Sequence, residues 1–162
     1  MHIARIHRQG RQLAVFVAAL ATAAAFAGDA PPRPDHPAAK GHQLDRSGSK
    51  QVGKASFYAP QFAGRKMADG TPMDPREDNA ASKTLPLGTK ARVTNLETGR
   101  SAEVTIQDRG PYVDGRIVDL SPATAAKIGL TQQAGIAPVE VAPISVPLPD
   151  GTTRLGIAAN DR

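Results

Sequence analysis

Residues 104–121 read Val-Thr-Ile-Gln-Asp-Arg-Gly-Pro-Tyr-Val-Asp-Gly-Arg-Ile-Val-Asp-Leu-Ser. Val104 and Ile106 alternate with polar neighbours, which is the two-residue period of a half-buried strand. That strand runs into Asp108-Arg109-Gly110-Pro111, where glycine and proline mark a turn. A carboxylate therefore sits at the exit of a strand, on a turn of restricted conformation. Asp108 has two readings: a general acid, or a turn residue whose carboxylate caps the amides that follow it. Successive side chains of an extended strand point to opposite faces, so Arg109 need not pair with Asp108.

Strand signals continue in both directions. Arg116–Leu120 is a second candidate, followed by Ser121 as an N-cap and Pro122 at the first helical position. Ala123 to Leu130 forms the helix body, with Gly129 near its end. Upstream, 91–96 and 102–107 alternate on either side of Glu97-Thr98-Gly99-Arg100, with Val93 directed inward and Gly99 where a hairpin loop needs positive φ. Lys54–Tyr58 reads as an opening strand and Val139–Ile144 as a late one. Short strands, one or two short helices and abundant Gly and Pro predict a mainly β fold of the small-barrel kind.

The ends of the chain read differently. Residues 1–27 combine a basic head (Arg5, Arg8, Arg11), an apolar run from Leu13 to Ala25, and Ala25-Phe26-Ala27 as a small-x-small cleavage pattern. The run is about 13 residues, short of the roughly 20 that span a bilayer. Export across the inner membrane to the periplasm is the expectation. Removing the leader's three arginines leaves 17 Lys and Arg against 15 Asp and Glu, a balance of only +2. No basic run is interleaved with aromatics, so nucleic acid is not an expected partner. With no cysteine there is no disulfide framework, no thiolate nucleophile and no cysteine for an acyl anchor. Residues 28–51 are rich in proline and charge with few large apolar side chains, and read as a disordered linker. The folded unit is expected at 52–146. The tail at 147–162, with Pro149-Asp150-Gly151 as a turn, is either a short hairpin or a loose end.

Several blocks carry a resemblance. Gly53-Lys54-Ala55-Ser56-Phe57-Tyr58, Phe62-Ala63-Gly64-Arg65-Lys66-Met67-Ala68-Asp69-Gly70, Lys83-Thr84-Leu85-Pro86-Leu87-Gly88-Thr89, Val93-Thr94-Asn95-Leu96, Asp108-Arg109-Gly110-Pro111 and Gly115-Arg116-Ile117-Val118-Asp119-Leu120-Ser121 occur in this order. Together they resemble the secreted rare-lipoprotein-A family over 53 to about 141. The resemblance implies a six-stranded double-psi β-barrel. It also implies lytic transglycosylation of peptidoglycan glycan strands at the bond between N-acetylmuramic acid and N-acetylglucosamine, giving a 1,6-anhydro product without a cofactor. A glycan-binding or wall-scaffolding module on the same barrel is the alternative.

Two polar positions depart from that family's pattern. Ser82 stands in Ala80-Ala81-Ser82-Lys83-Thr84 where the family has a cleft histidine, and Thr71 follows Asp69-Gly70 where it has a glutamate. Asp108 is left as the candidate catalytic group. Ser82, Thr71, Asp69, Tyr58, Tyr112 and Arg109 are the candidate substrate contacts, Asp69 also as a stand-in for the missing second acid. Tyr58 and Tyr112 are the chain's two tyrosines, and sugar rings stack on aromatic faces. Asp119 reads first as a structural residue beside the helix start, where a carboxylate suits the helix dipole. His36 and His42 lie in the linker, so no metal site is expected and Ser82 has no histidine in the domain to activate it.

Overall fold

A computed structural model describes residues 43–160. The leader at 1–27 and most of the linker lie outside the described residues. The elements run β1 (Gln51–Phe57), a 3₁₀ turn (Pro60–Phe62), β2 (Asn79–Ser82), β3 (Lys90–Asn95), β4 (Ser101–Asp108), β5 (Arg116–Leu120), α1 (Pro122–Lys127), β6 (Ala137–Pro147), β7 (Thr153–Leu155) and a second 3₁₀ turn (Ile157–Asn160).

Six strands close on themselves in the order β1-β5-β2-β4-β3-β6, with β6 returning to β1. The pairs β1–β5 and β2–β4 are parallel and the remaining barrel pairs antiparallel. This is the double-psi β-barrel. Closure removes the free edges that an open sheet would expose.

The interior is filled as the alternation predicts. Val93, Val104 and Ile106 point inward and are buried, together with Val118, Leu120, Val139 and Val141. Four strand alanines (Ala55, Ala80, Ala91, Ala137) and Ala125 of the helix share this core. A six-stranded barrel is narrow, and small side chains must alternate with larger ones to fill it. Helix α1 closes against the core through Ala125, with Ile128 and Leu130 just beyond it. Its N-terminus is capped as expected: Ser121 Oγ accepts from Thr124 N at 3.1 Å.

Two features differ from the sequence reading, and a third was left open by it. Strand β2 was not legible as a strand, because Asn79-Ala80-Ala81-Ser82 is buried on both faces and so shows no alternation. Residues 43–50, assigned to the disordered linker, pack onto the domain. Asp45 N donates to Thr84 O at 2.8 Å, Gln51 Nε2 to Asp45 Oδ2 at 2.9 Å, and Ile157 N to Gly48 O at 3.0 Å. Paired backbone and polar groups hold this stretch where an apolar face is lacking. At the other end, where the sequence left a short hairpin or a loose end, β7 pairs with β6, and Ala158 beyond it is buried.

Candidate functional site

Asp108 ends β4 with its carboxylate on the outer face of the barrel wall. Its Oδ1 accepts from Arg109 N at 2.8 Å and from Ala68 N at 3.0 Å, while Oδ2 accepts from the Tyr58 hydroxyl at 3.1 Å. The capping reading holds for Oδ1, which is fixed by backbone amides, while Oδ2 faces a side chain. Register explains the surroundings. Ala81 of β2 pairs with Asp108 on one side and with Asp119 of β5 on the other. Residues opposite one another in a sheet share a face, so Asp108, Ala81 and Asp119 line one outer surface. Two strand spacings put the acids' backbones about 10 Å apart.

The long excursion between β1 and β2 covers this surface. Met67 and Met73 from it join Tyr58 and Ala81 in a second buried cluster outside the barrel core. The excursion is braced by Met73 N to Arg65 O and Met67 N to Thr71 O, both 2.8 Å, and tied to β4 by Asp69 N to Gln107 O at 3.0 Å. Between them a cleft of about 230 Å³ remains, lined by Tyr58, Phe62, Arg65, Lys66, Met67, Met73 and Asp108. Phe62 is partly exposed, its ring 5.8 Å from that of Tyr58, with the Arg65 guanidinium 5.7 Å from its centre. A larger hollow of about 380 Å³ beside α1 (lined by Phe57, Arg100 and Gln132, among others) shares no residue with this cleft and contains no carboxylate.

The residues singled out from sequence separate into two groups. Tyr58 reaches the cleft, but it is 8 % exposed and its hydroxyl is engaged by Asp108, so it is not an open stacking platform. Burial first, then the charges of Asp108 and Asp119, hold its pKa far above the usual tyrosine value, so it stays a neutral donor. Tyr112 is exposed on the turn after Asp108, next to exposed Val113. Asp69 and Thr71 sit on the excursion. Asp69 Oδ1 accepts from Thr71 N (2.9 Å) and Thr71 Oγ1 (2.7 Å), and Oδ2 accepts from Gln107 Nε2 at 3.0 Å. Slight burial raises the pKa of Asp69, but these donors outweigh it and the net shift is downward. Asp69 is thus an anion at neutral pH, unsuited to replace a general acid.

Ser82 and Arg109 meet at the turn after β2. Ser82 is 1 % exposed, and its Oγ accepts from Thr84 N (3.3 Å) and Leu85 N (3.2 Å), capping the turn after β2. The Arg109 guanidinium donates to Ser82 O (3.1 Å) and Leu85 O (2.7 Å) of the same turn. Both brace the barrel end, Ser82 from a buried position and Arg109 through one guanidinium nitrogen. Ser82→Ala should accordingly lower stability by about 1–2 kcal/mol through the uncapped amides. Chemical denaturation reads the loss.

Asp119 belongs to the site more closely than its place before the helix suggested. It accepts from Ser56 Oγ and pairs with Arg116 at 2.5 Å, and its charge is felt by Tyr58. Phe62, Met67 and Met73 also escaped the sequence reading, because they sit in a Gly- and Pro-rich stretch without periodicity. Among the described residues no cluster of three or more His, Cys, Asp or Glu could hold a metal ion.

The chain is 45 % identical over 102 residues to the endolytic peptidoglycan transglycosylase RlpA of Vibrio cholerae, covering 63 % of this chain and 38 % of that protein. It is 50 % identical over 86 residues to the RlpA of Pasteurella multocida (53 % and 29 %), and 47 % over 78 residues to a probable RlpA of Synechocystis (48 % and 24 %). It thus spans well under half the length of these relatives. Among solved structures, a Streptomyces papain inhibitor aligns at 27 % identity and TM-score 0.45, over 57 % of this chain and 92 % of that one. A Clavibacter michiganensis expansin aligns at 22 % and 0.47, over 59 % and 50 %. Residues 50–141, which contain the barrel from β1 into β6 together with Asp108 and the excursion above it, match the family described as Lytic transglycolase, and the chain belongs to that family.

Proposed function

We propose that this domain is an exported lytic transglycosylase that cleaves peptidoglycan glycan strands between N-acetylmuramic acid and N-acetylglucosamine. One observation carries the reading: in a chain of this family, the carboxyl of Asp108 is fixed through Oδ1 by two backbone amides and presents Oδ2 beside a cleft with an exposed aromatic edge and two cations. The protonated carboxyl gives its proton to the glycosidic oxygen as the bond to C1 breaks. The muramyl 6-hydroxyl closes on C1 and returns its proton to the same carboxylate. No water attacks, so a single carboxyl serves as acid and then as base, where a hydrolase uses a pair. Phe62 and Tyr112 offer faces for sugar rings, and Arg65 and Lys66 meet acidic substituents of the strand.

The leader-like residues 1–27 and a wall substrate together support a periplasmic, wall-associated location. Incubating the purified protein with peptide-stripped sacculi tests the function, with mass spectrometry of the soluble fragments. Anhydro-ended glycans are the expected product. Reducing-end products or none at all would defeat the reading.

A further inference from the structure

We propose that Tyr58 is a positioning residue for this reaction, acting through Asp108 to stabilise the carboxylate formed as the proton leaves. The inference rests on the assignment of Asp108 as the acid. The two oxygens of Asp108 are not equivalent. Oδ1 is held by Ala68 N and Arg109 N, donors built into the backbone that persist whatever the substrate does. Oδ2 faces Tyr58, a side-chain donor whose ring is locked among Met67, Met73 and Ala81 and tilted 59° against Phe62. The proton must therefore leave from, and return to, Oδ2.

While Oδ2 carries the proton, the Tyr58 hydroxyl donates to its remaining lone pair, a hydrogen bond between neutral groups. As the Oδ2–H bond breaks and the proton moves to the glycosidic oxygen, Oδ2 gains negative charge and the same hydrogen bond becomes charge-assisted. An interaction that strengthens on the way to the transition state lowers the barrier, whereas one of constant strength lowers only KM. When the muramyl 6-hydroxyl returns its proton to Oδ2, the bond reverts to its neutral form and Tyr58 is unchanged. For this the tyrosine must not ionise, and burial together with the two flanking carboxylates keeps it protonated. The other charged groups facing Asp108 are Arg65 and Lys66 across the cleft, with Asp119 two strands away.

Tyr58→Phe separates this role from simple packing, because the ring and its neighbours stay. With peptide-stripped glycan as substrate, kcat should fall roughly 10- to 100-fold, the range of a hydrogen bond to a charged group. KM should stay near the wild-type value, and the alkaline limb of the kcat profile, where Asp108 loses its proton, should move to higher pH. A second variant covers the case in which the phenylalanine protein fails to fold. In a Tyr112→Phe background Tyr58 is the one tyrosine left, and biosynthetic 3-fluorotyrosine makes its hydroxyl a stronger donor, moving the same limb to lower pH. Unchanged kcat and an unmoved limb in the folded variant overturn the proposal, as does a change confined to KM. Asp108→Asn separates the two levels. If that protein stays active, the assignment of Asp108 fails. If it is inactive while Tyr58→Phe behaves as wild type, only the role of Tyr58 fails.

Discussion

Asp108→Asn is expected to give a folded protein whose release of anhydro-ended glycan falls by about 10²- to 10⁴-fold, the usual contribution of a general acid–base group. The substitution is informative because it preserves one half of the residue's bonding. The asparagine carbonyl oxygen still accepts from Ala68 N and Arg109 N, so the excursion above β4 stays anchored. The other half changes sign: an NH₂ group meets the Tyr58 hydroxyl, and no atom at that point can give up or take back a proton. An alanine would confuse the result, since it strands two backbone amides. Mass spectrometry of sacculus digests gives the rate, and a thermal unfolding curve shows that the fold is retained. Cleavage at the wild-type rate by Asp108→Asn would remove Asp108 from the chemistry.

Gly156→Ala is expected to cost about 3 kcal/mol or more, at the upper end of what overpacking does, and to lower the unfolding midpoint by about 10 °C. Gly156 follows β7, and its amide donates to Ile144 O at 2.9 Å. A Cβ there would lie 2.1 Å from the carbonyl oxygen of Pro143 and 2.5 Å from its carbon. Both are backbone atoms of β6, a barrel strand, and cannot rotate away as a side chain could. The hairpin must lift instead, uncovering Ile144, Val146 and Ala158, which are buried in the native fold. Differential scanning calorimetry reads the midpoint, and early proteolytic cleavage after residue 147 would report the lifted hairpin. An unchanged midpoint would show that β7 adds nothing to the barrel.

Elements that obey a simple period were legible in the sequence. Strands β3 and β4 alternate cleanly around a glycine-containing hairpin, and α1 begins with a serine cap and a proline. Strand β6 obeys the rule only in part. Its buried positions are odd-numbered up to Pro143 and even-numbered at Ile144 and Val146. The register shift against β3 falls at the same place, where Pro143 has no amide to donate. A window that assumes one phase therefore ends the strand early.

Asp108 was legible because a strand exit followed by Gly-Pro is a local pattern. The rest of the site was not, because it is assembled across the sheet. Tyr58 lies 50 residues before the carboxylate it meets, and Asp119 reaches the same face only because β5 and β4 both flank β2. Ser82 and Arg109 show a different limit. Matching positions in a motif gives a residue's place along the chain, whereas its direction is decided by the turn amides and carbonyls that claim it first.

The meeting of the two ends of the described chain has a topological consequence. Arg154 donates to the carbonyl of Arg46 at 3.0 Å, Ile157 donates to that of Gly48, and Gly48 lies against Gly156 so closely that an added methyl would be 3.1 Å from its Cα. The polypeptide thus arrives at the barrel and departs from it at one spot, as a ring does. Folds joined in this way tolerate circular permutation and insertion into host loops. A short bridge between residues 160 and 43, with the chain reopened in the exposed loop at 97–99, would keep every strand pairing and leave Asp108 in place.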